Sequence, residues 1–158
     1  MKLSTKGRYA VMAMVDLAQR SNGEPVSLAD IAKRQGLSLS YLEQLFSKLR
    51  RRGVVKSIRG PGGGYILSRR ADRIYIADIV LAVDEPVRMT RCSPGSPEGC
   101  GADQARCSTH ELWEALGNQI YGFLNSVTVA DVCARRISGT GQPAWTNTAM
   151  RSTAPSAN

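Results

Sequence analysis

Three of the chain's four cysteines and its single histidine stand within nineteen residues, as Cys92, Cys100, Cys107 and His110. Three thiolates and an imidazole suit a tetrahedral zinc ion. They equally suit an iron-sulphur cluster in which one histidine replaces a cysteine. In a compartment that keeps thiols reduced, such a grouping favours metal binding over disulphides. The spacing Cys-x7-Cys-x6-Cys-x2-His contains one tight pair, whereas structural zinc knuckles pair their ligands as Cys-x2-Cys; that tilts the reading toward a cluster and leaves zinc open. Pro94, Gly95, Pro97, Gly99 and Gly101 make the intervening chain a loop that can turn several sulphurs toward one point. Ser108 and Glu111 form a capping-box signature, which predicts a helix start at Cys107 and His110. There the three-residue spacing brings side chains together and exposed amides favour thiolates. Cys133, outside the group on a predicted helix, reads as a small apolar packing residue.

The elements that must hold this loop have to fit into 158 residues and 17.1 kDa, room for one domain with appendages but not for a large enzyme barrel. With 42% hydrophobic and 22% charged residues, a buried core is feasible and wholesale disorder is excluded. The net charge of +8 is unevenly placed: residues 1–80 hold 15 basic and 6 acidic side chains, and residues 81–158 hold 6 and 7. A basic half joined to a near-neutral half fits a phosphate-binding module attached to a second function. The longest apolar run, Tyr9 to Val15, is too short to span a membrane, and Asp16 interrupts it, so the chain reads as cytoplasmic with no membrane partner.

Along the basic half, helical spacing predicts a first helix over 4–21. Ser27 to Asp30 then supplies a capping box that opens a second, short helix, which stops at Gly36. Ser40 to Glu43 repeats the signature and opens a third, completing a helix-turn-helix. On that third helix Leu39, Leu42, Leu45, Phe46 and Leu49 are the expected core face, and Ser40, Gln44, Ser47 and Arg51 lie opposite. Serine, glutamine and arginine can hydrogen-bond base edges or phosphates in a major groove. Val54, Val55 and Ile58 precede Gly60-Pro61-Gly62-Gly63-Gly64, and Tyr65, Ile66 and Leu67 follow it, which is a hairpin with a flexible tip carrying Arg59. The glycines do not make a nucleotide loop, because no Lys-Ser or Lys-Thr follows and a strand comes next. A fourth helix over 76–84 closes the core before Pro86. The expected fold is mainly α with a small β-hairpin wing: a winged helix-turn-helix DNA-binding domain over 1–86, then the ligand loop over 87–109.

Beyond the loop, Trp113, Leu116, Ile120, Phe123 and Val127 repeat at alternating spacings of three and four. This predicts a coiled-coil-like dimerisation helix, followed by a short helix capped by Thr128, the two together covering 110–134. Two copies would present two recognition helices to a two-fold operator. Residues 135–158 show no periodicity and read as a disordered tail in which Trp145 has no assigned role.

The stretches KGRYAVMAMVDLA, SLADIAKRQGLSLSYLEQLFSKLRRRGVV, RGPGGGYIL and AVDEPV, with the Cys…Cys…Cys…His run leading into HELW and GFLN, closely resemble the iron-sulphur cluster regulators among the bacterial Rrf-type winged-helix transcription factors, over about residues 1–134. The resemblance implies a homodimer that binds double-stranded DNA operators and one two-iron two-sulphur (2Fe-2S) cluster per chain. It further implies repression or activation of iron-sulphur assembly genes, including the regulator's own operon, and contact with the assembly machinery for cluster delivery. Residue by residue it makes Cys92, Cys100, Cys107 and His110 the ligands. It makes Ser38, Ser40, Tyr41, Glu43 and Gln44 the recognition region, with Arg59 and Gly60 in the wing. The cluster-free form in this family also binds DNA, with a different preference; Glu43 would then discriminate, since a carboxylate accepts from cytosine and is repelled by phosphate. Nitric-oxide-sensing relatives resemble a group with an acidic ligand near the N terminus, where this chain has Lys6 and Arg8. Two rival functions are a zinc-stabilised DNA-binding protein without a sensor and, less well supported, an electron-transfer oxidoreductase. The second lacks any further cofactor motif and leaves the basic half without a role.

Overall fold

The computed structural model describes residues 4–85, 87, 89, 99, 101 and 105–137. Cys92 and Cys100, and the tail from 138 onward with Trp145, lie outside the described residues.

Helix α1 (Thr5–Arg20) starts at Ser4, whose hydroxyl accepts from the Lys6 amide at 3.2 Å. It buries Ala10, Ala13, Met14 and Leu17, the i, i+3, i+4, i+7 stripe of a helix packed on one face. Helix α2 (Leu28–Gln35) is capped by Ser27, which accepts from the Asp30 amide at 3.1 Å. It ends at Gly36 with φ +63°, a conformation that costs glycine nothing and that leads the chain sharply into the next helix.

Helix α3 (Leu39–Arg51) begins two residues earlier than the sequence predicts. Ser38, not Ser40, is the cap, accepting from the Tyr41 amide at 3.4 Å. Ser40 thereby falls inside the first turn, with its hydroxyl 3.0 Å from that of Ser38. The shift makes Leu39 the first helical residue, 41% exposed rather than core, while Leu42, Leu45, Phe46 and Leu49 are buried as expected.

Strands β1 (Val55–Ile58) and β2 (Gly64–Leu67) pair antiparallel, Val55 opposite Leu67 and Ile58 opposite Gly64. Val26, in the connection between α1 and α2, exchanges two backbone hydrogen bonds with Tyr65 at 3.0 and 2.8 Å and fastens the hairpin to the helices. The Tyr65 ring meets Phe46 of α3 edge-on, with centroids 5.0 Å apart.

A single 3-10 turn (Ala71–Arg73) leads to α4 (Ile76–Ala82), whose apolar Ile76, Ile79 and Val80 complete the core. This helix stops two residues short of the predicted end, because Asp84 adopts φ +57° and reverses the chain before Pro86.

Helix α5 (His110–Ser126), about 26 Å long at 1.5 Å per residue, has Thr109 at its cap position without a side-chain cap bond. The capping role predicted for Ser108 is not realised. Helix α6 (Val129–Cys133) has the expected Thr128 cap, which accepts from the Asp131 amide at 3.1 Å.

Between α5 and α6 the chain runs extended. Val127 accepts from the Ile76 amide and the Val129 amide donates to Ile74, both at 2.9 Å, and Val127 and Val129 enter the core formed by α1, α3 and α4. Val127 is therefore not a position on the dimerisation seam. The apolar repeat that ran through it on paper is broken, because its backbone pairs with the distant 74–76 segment. Among the described residues no helix is long and apolar enough to cross a membrane.

Candidate functional site

The residues predicted to form the recognition region lie at the start of α3. Ser38, Ser40, Glu43 and Gln44 are exposed; Tyr41 is half-buried, its ring edge-on to Tyr9 of α1 with centroids 6.1 Å apart. Ser47 is half-buried and Arg51 exposed, so the polar face is open over most of its length. Arg59 and Gly60 are exposed at the wing tip, which is closed by the Gly63 amide donating to the Gly60 carbonyl at 2.9 Å. A Cβ on Gly64 would collide with the Val26 carbonyl, so the fastening of the hairpin requires glycine there. Arg50 donates to Ser57 Oγ at 3.3 Å and joins the recognition helix to the wing.

Two further devices hold this surface in place, and neither is evident in the sequence. Asp16 of α1 is buried, 5% exposed, and accepts from Arg34 through both Nε and Nη2 (2.6 Å for Nη2) and from Gln35 Nε2 at 2.8 Å. The end of α2, immediately before the turn into α3, is thereby pinned to α1. Burial works against the Asp16 charge, but the hydrogen bonds from Arg34 and Gln35 and the charges of Arg34 and Arg20 outweigh it and hold the carboxyl below the ordinary range. The interruption of an apolar run by Asp16 was the only signal available.

Glu85, just past α4, accepts from the Ser4 amide and hydroxyl and from the Gly7 amide at 2.7 Å. Burial opposes its charge as well, and these donors together with Lys6 overcome it, lowering its pKa.

Of the ligand group, Cys107 and His110 are described. The His110 amide donates to the Cys107 carbonyl at 3.0 Å, so the two sit in one turn at the start of α5. Cys107 is exposed, with Sγ 3.6 Å from Thr109 Oγ1, and His110 is 4% exposed, with Nε2 3.9 Å from a Glu114 carboxylate oxygen. Among the described residues no three metal-ligating side chains stand together. The two that are described fit a soft metal centre: a solvent-facing thiol and a buried imidazole in one turn at the start of a helix, where the helix dipole favours an anionic sulphur. Cys133 is half-buried against the core, with Sγ 3.9 Å from the Val15 carbonyl, and burial raises its thiol pKa, as befits a packing residue.

Of the predicted seam, Trp113 and Phe123 are 40% and 46% exposed, and Leu116 and Ile120 are half-buried. Leu112, at 62%, and Tyr121, at 42%, extend the apolar surface beyond the residues the repeat picks out.

A capped recognition helix with its polar face outward, docked against a short basic hairpin, defines a winged-helix DNA-binding regulator. Comparison with known proteins narrows the class. The Rrf2 family, described as iron-dependent transcriptional regulators, matches residues 3–135, and the chain belongs to it. It is 56% identical over 133 residues to the HTH-type transcriptional regulator IscR of Xenorhabdus nematophila, covering 84% of this chain and 79% of that one. IscR of Serratia proteamaculans is equally similar. Among solved structures, IscR of T. potens superposes with a TM-score of 0.69 at 38% identity over 92% of this chain and 96% of that one. CymR, the global cysteine regulator of B. subtilis, superposes with 0.70 at 36% identity over 85% and 98%. The chain is thus a DNA-binding transcriptional regulator of the IscR type and not an enzyme.

Proposed function

We propose that this regulator senses iron-sulphur cluster status through one 2Fe-2S cluster per chain, held by Cys92, Cys100, Cys107 and His110. As a homodimer it controls promoters of iron-sulphur assembly genes, its own operon included. The observation that carries the reading is the placement of Cys107 and His110 in one turn at the head of α5, the thiol exposed and the imidazole buried. The fold does not carry it, because a regulator named for cysteine superposes as well as one named IscR. A bound cluster would supply a link sensitive to iron supply and oxidation between the 92–107 segment and the start of α5. In this reading the residues of the chain do the rest: Ser38, Ser40, Tyr41, Glu43 and Gln44 read bases, and Arg59 and Gly60 meet the backbone. The exposed Leu112, Trp113 and Phe123 support a partner helix from a second copy, since an apolar stripe of this extent on a soluble monomer marks an interface. Delivery of the cluster by the assembly machinery completes the reading.

The test is a visible absorption spectrum with iron and sulphide assays on protein purified without oxygen. A red-brown species with about two irons and two sulphides per chain, the stoichiometry of such clusters, is expected. Alanine at Cys92, Cys100, Cys107 or His110 should abolish it while the fold and some DNA binding persist. A colourless zinc protein would overturn the sensor and leave a structural metal site.

A further inference from the structure

The two acids of the AVDEPV stretch neither bind the proposed cluster nor read DNA, yet together they join three separate pieces of the molecule. We propose that Asp84 and Glu85 are positioning residues that tie the beginning of the ligand-bearing segment to the recognition helix, so that cluster occupancy changes which DNA is bound. The proposal rests on the cluster-sensing reading above.

The geometry starts from a chain reversal. Asp84 takes φ +57°, uncommon for a residue with a side chain though tolerated by aspartate, with its amide donating to Leu81 and that of Glu85 to Val80. The reversal sends the two carboxylates to different helices. Asp84 Oδ2 lies 2.8 Å from Lys48 Nζ, and Lys48 is one turn beyond Gln44 on α3, hence on the same side of the recognition helix. Glu85 receives the Ser4 and Gly7 donors at the start of α1.

That α1 terminus does not need Glu85 for its cap, since Ser4 already provides one through the Lys6 amide. Glu85 instead holds α1 to the end of α4. Downstream, Met89 packs on α5 at Gly117, where an added Cβ would lie 3.5 Å from Met89 Cγ, and α5 begins with the proposed ligand His110. Cys92 follows Met89 by three residues in the chain. Met89, which touches α5, and Glu85 and Asp84, which reach α1 and α3, thus stand within six consecutive positions of the sequence, just ahead of Cys92. Glu85 accepts from three directed donors, which fixes its geometry, whereas the Asp84–Lys48 pair is largely solvent-exposed and contributes a weaker, salt-sensitive tie to α3.

The experiment compares operator binding by full-length wild type, the Asp84→Asn/Glu85→Gln double variant and Lys48→Gln, each cluster-loaded and cluster-free, with visible absorption per chain recorded alongside. For wild type, the two forms should differ in affinity for at least one operator by about 5- to 150-fold, the usual span of allosteric coupling. In the double variant that ratio is expected to fall to within about twofold, with absorption unchanged and faster hydrogen exchange at the Gly7 amide in both forms. Lys48→Gln, which leaves the α1 contact intact, should reduce the ratio also, and it decides the matter if the double variant does not fold. A wild-type ratio retained in the variants at full cluster occupancy overturns the proposal while leaving the sensor intact. A wild-type protein whose operator binding is indifferent to the cluster overturns the sensor reading and this proposal with it.

Discussion

Replacing Asp16 by Ala tests whether the helix-turn-helix is pinned from beneath. The carboxylate is 5% exposed and the Arg34 side chain 33% exposed. Removing one member of a buried, hydrogen-bonded pair costs about 3–5 kcal/mol, because the other charge is left uncompensated. Arg34 can rehydrate through its exposed third, so the lower end applies, about 3 kcal/mol. For a chain of this size that corresponds to a fall in melting temperature of roughly 6–12 °C. Urea titration by circular dichroism should show a lower midpoint with an unchanged slope. A cycle with Arg34→Ala and the double variant should return a coupling of at least about 1 kcal/mol. The sign of the pH dependence follows from the lowered pKa. The folded carboxyl titrates below its ordinary value of about 3.8, so the contribution is complete above that value and is lost as pH falls through the folded one. The gap between wild type and Asp16→Asn should accordingly be constant at neutral pH and close only in strong acid. A loss under about 1 kcal/mol for Asp16→Ala, or a coupling under about 0.5 kcal/mol, would refute the pin.

Other expectations address the surfaces. Glu43→Ala should broaden the operators bound by the cluster-free protein, by about 1–3 kcal/mol at the discriminated base pair; unchanged specificity in a binding selection would remove Glu43 from that role. Arg59→Ala is expected to weaken binding across sequences and to lower the slope of log K against log salt by about 1, read from titrations at several ionic strengths. Gly64→Ala must displace the Val26 carbonyl and should cost about 1–3 kcal/mol of stability by thermal melting, together with DNA affinity, as the wing detaches. Glu at both Leu112 and Phe123 should convert the proposed dimer to monomer in light-scattering measurements; a dimer that persists would place the interface elsewhere.

What the sequence made legible is what is locally determined. Ser27, Gly36 and Thr128 have their partners within three or four residues, and the expected caps and turn are where pattern puts them. The start of α3 went astray because two hydroxyls compete. Ser40 has the glutamate of a capping box, but a cap needs only an amide to accept from, and Ser38 reaches that of Tyr41. Val127 failed for a different reason. Its spacing continues a helical repeat, and only the backbone of Ile76, unseen by any periodicity, draws it out of the helix. For the ligand group, composition and spacing named the candidate donors, and the structure adds the burial of His110 and the exposure of Cys107.

The acids divide in the same way. Asp30 and Asp131 serve the starts of their own helices, but Asp16, Asp84 and Glu85 each find their principal partners on another helix. Asp16 even has Arg20 at the favourable four-residue spacing, yet its hydrogen bonds go to Arg34 and Gln35. A buried carboxylate needs directed donors, and an exposed helical neighbour offers mainly charge. An acid set into an apolar stripe, or placed directly after a helix where no amide of that helix remains to be capped, thus points to a distant element that it fastens. In this chain Asp84 reaches α3, which presents Ser40, Glu43 and Gln44, and Asp16 fixes the end of the helix that leads into it.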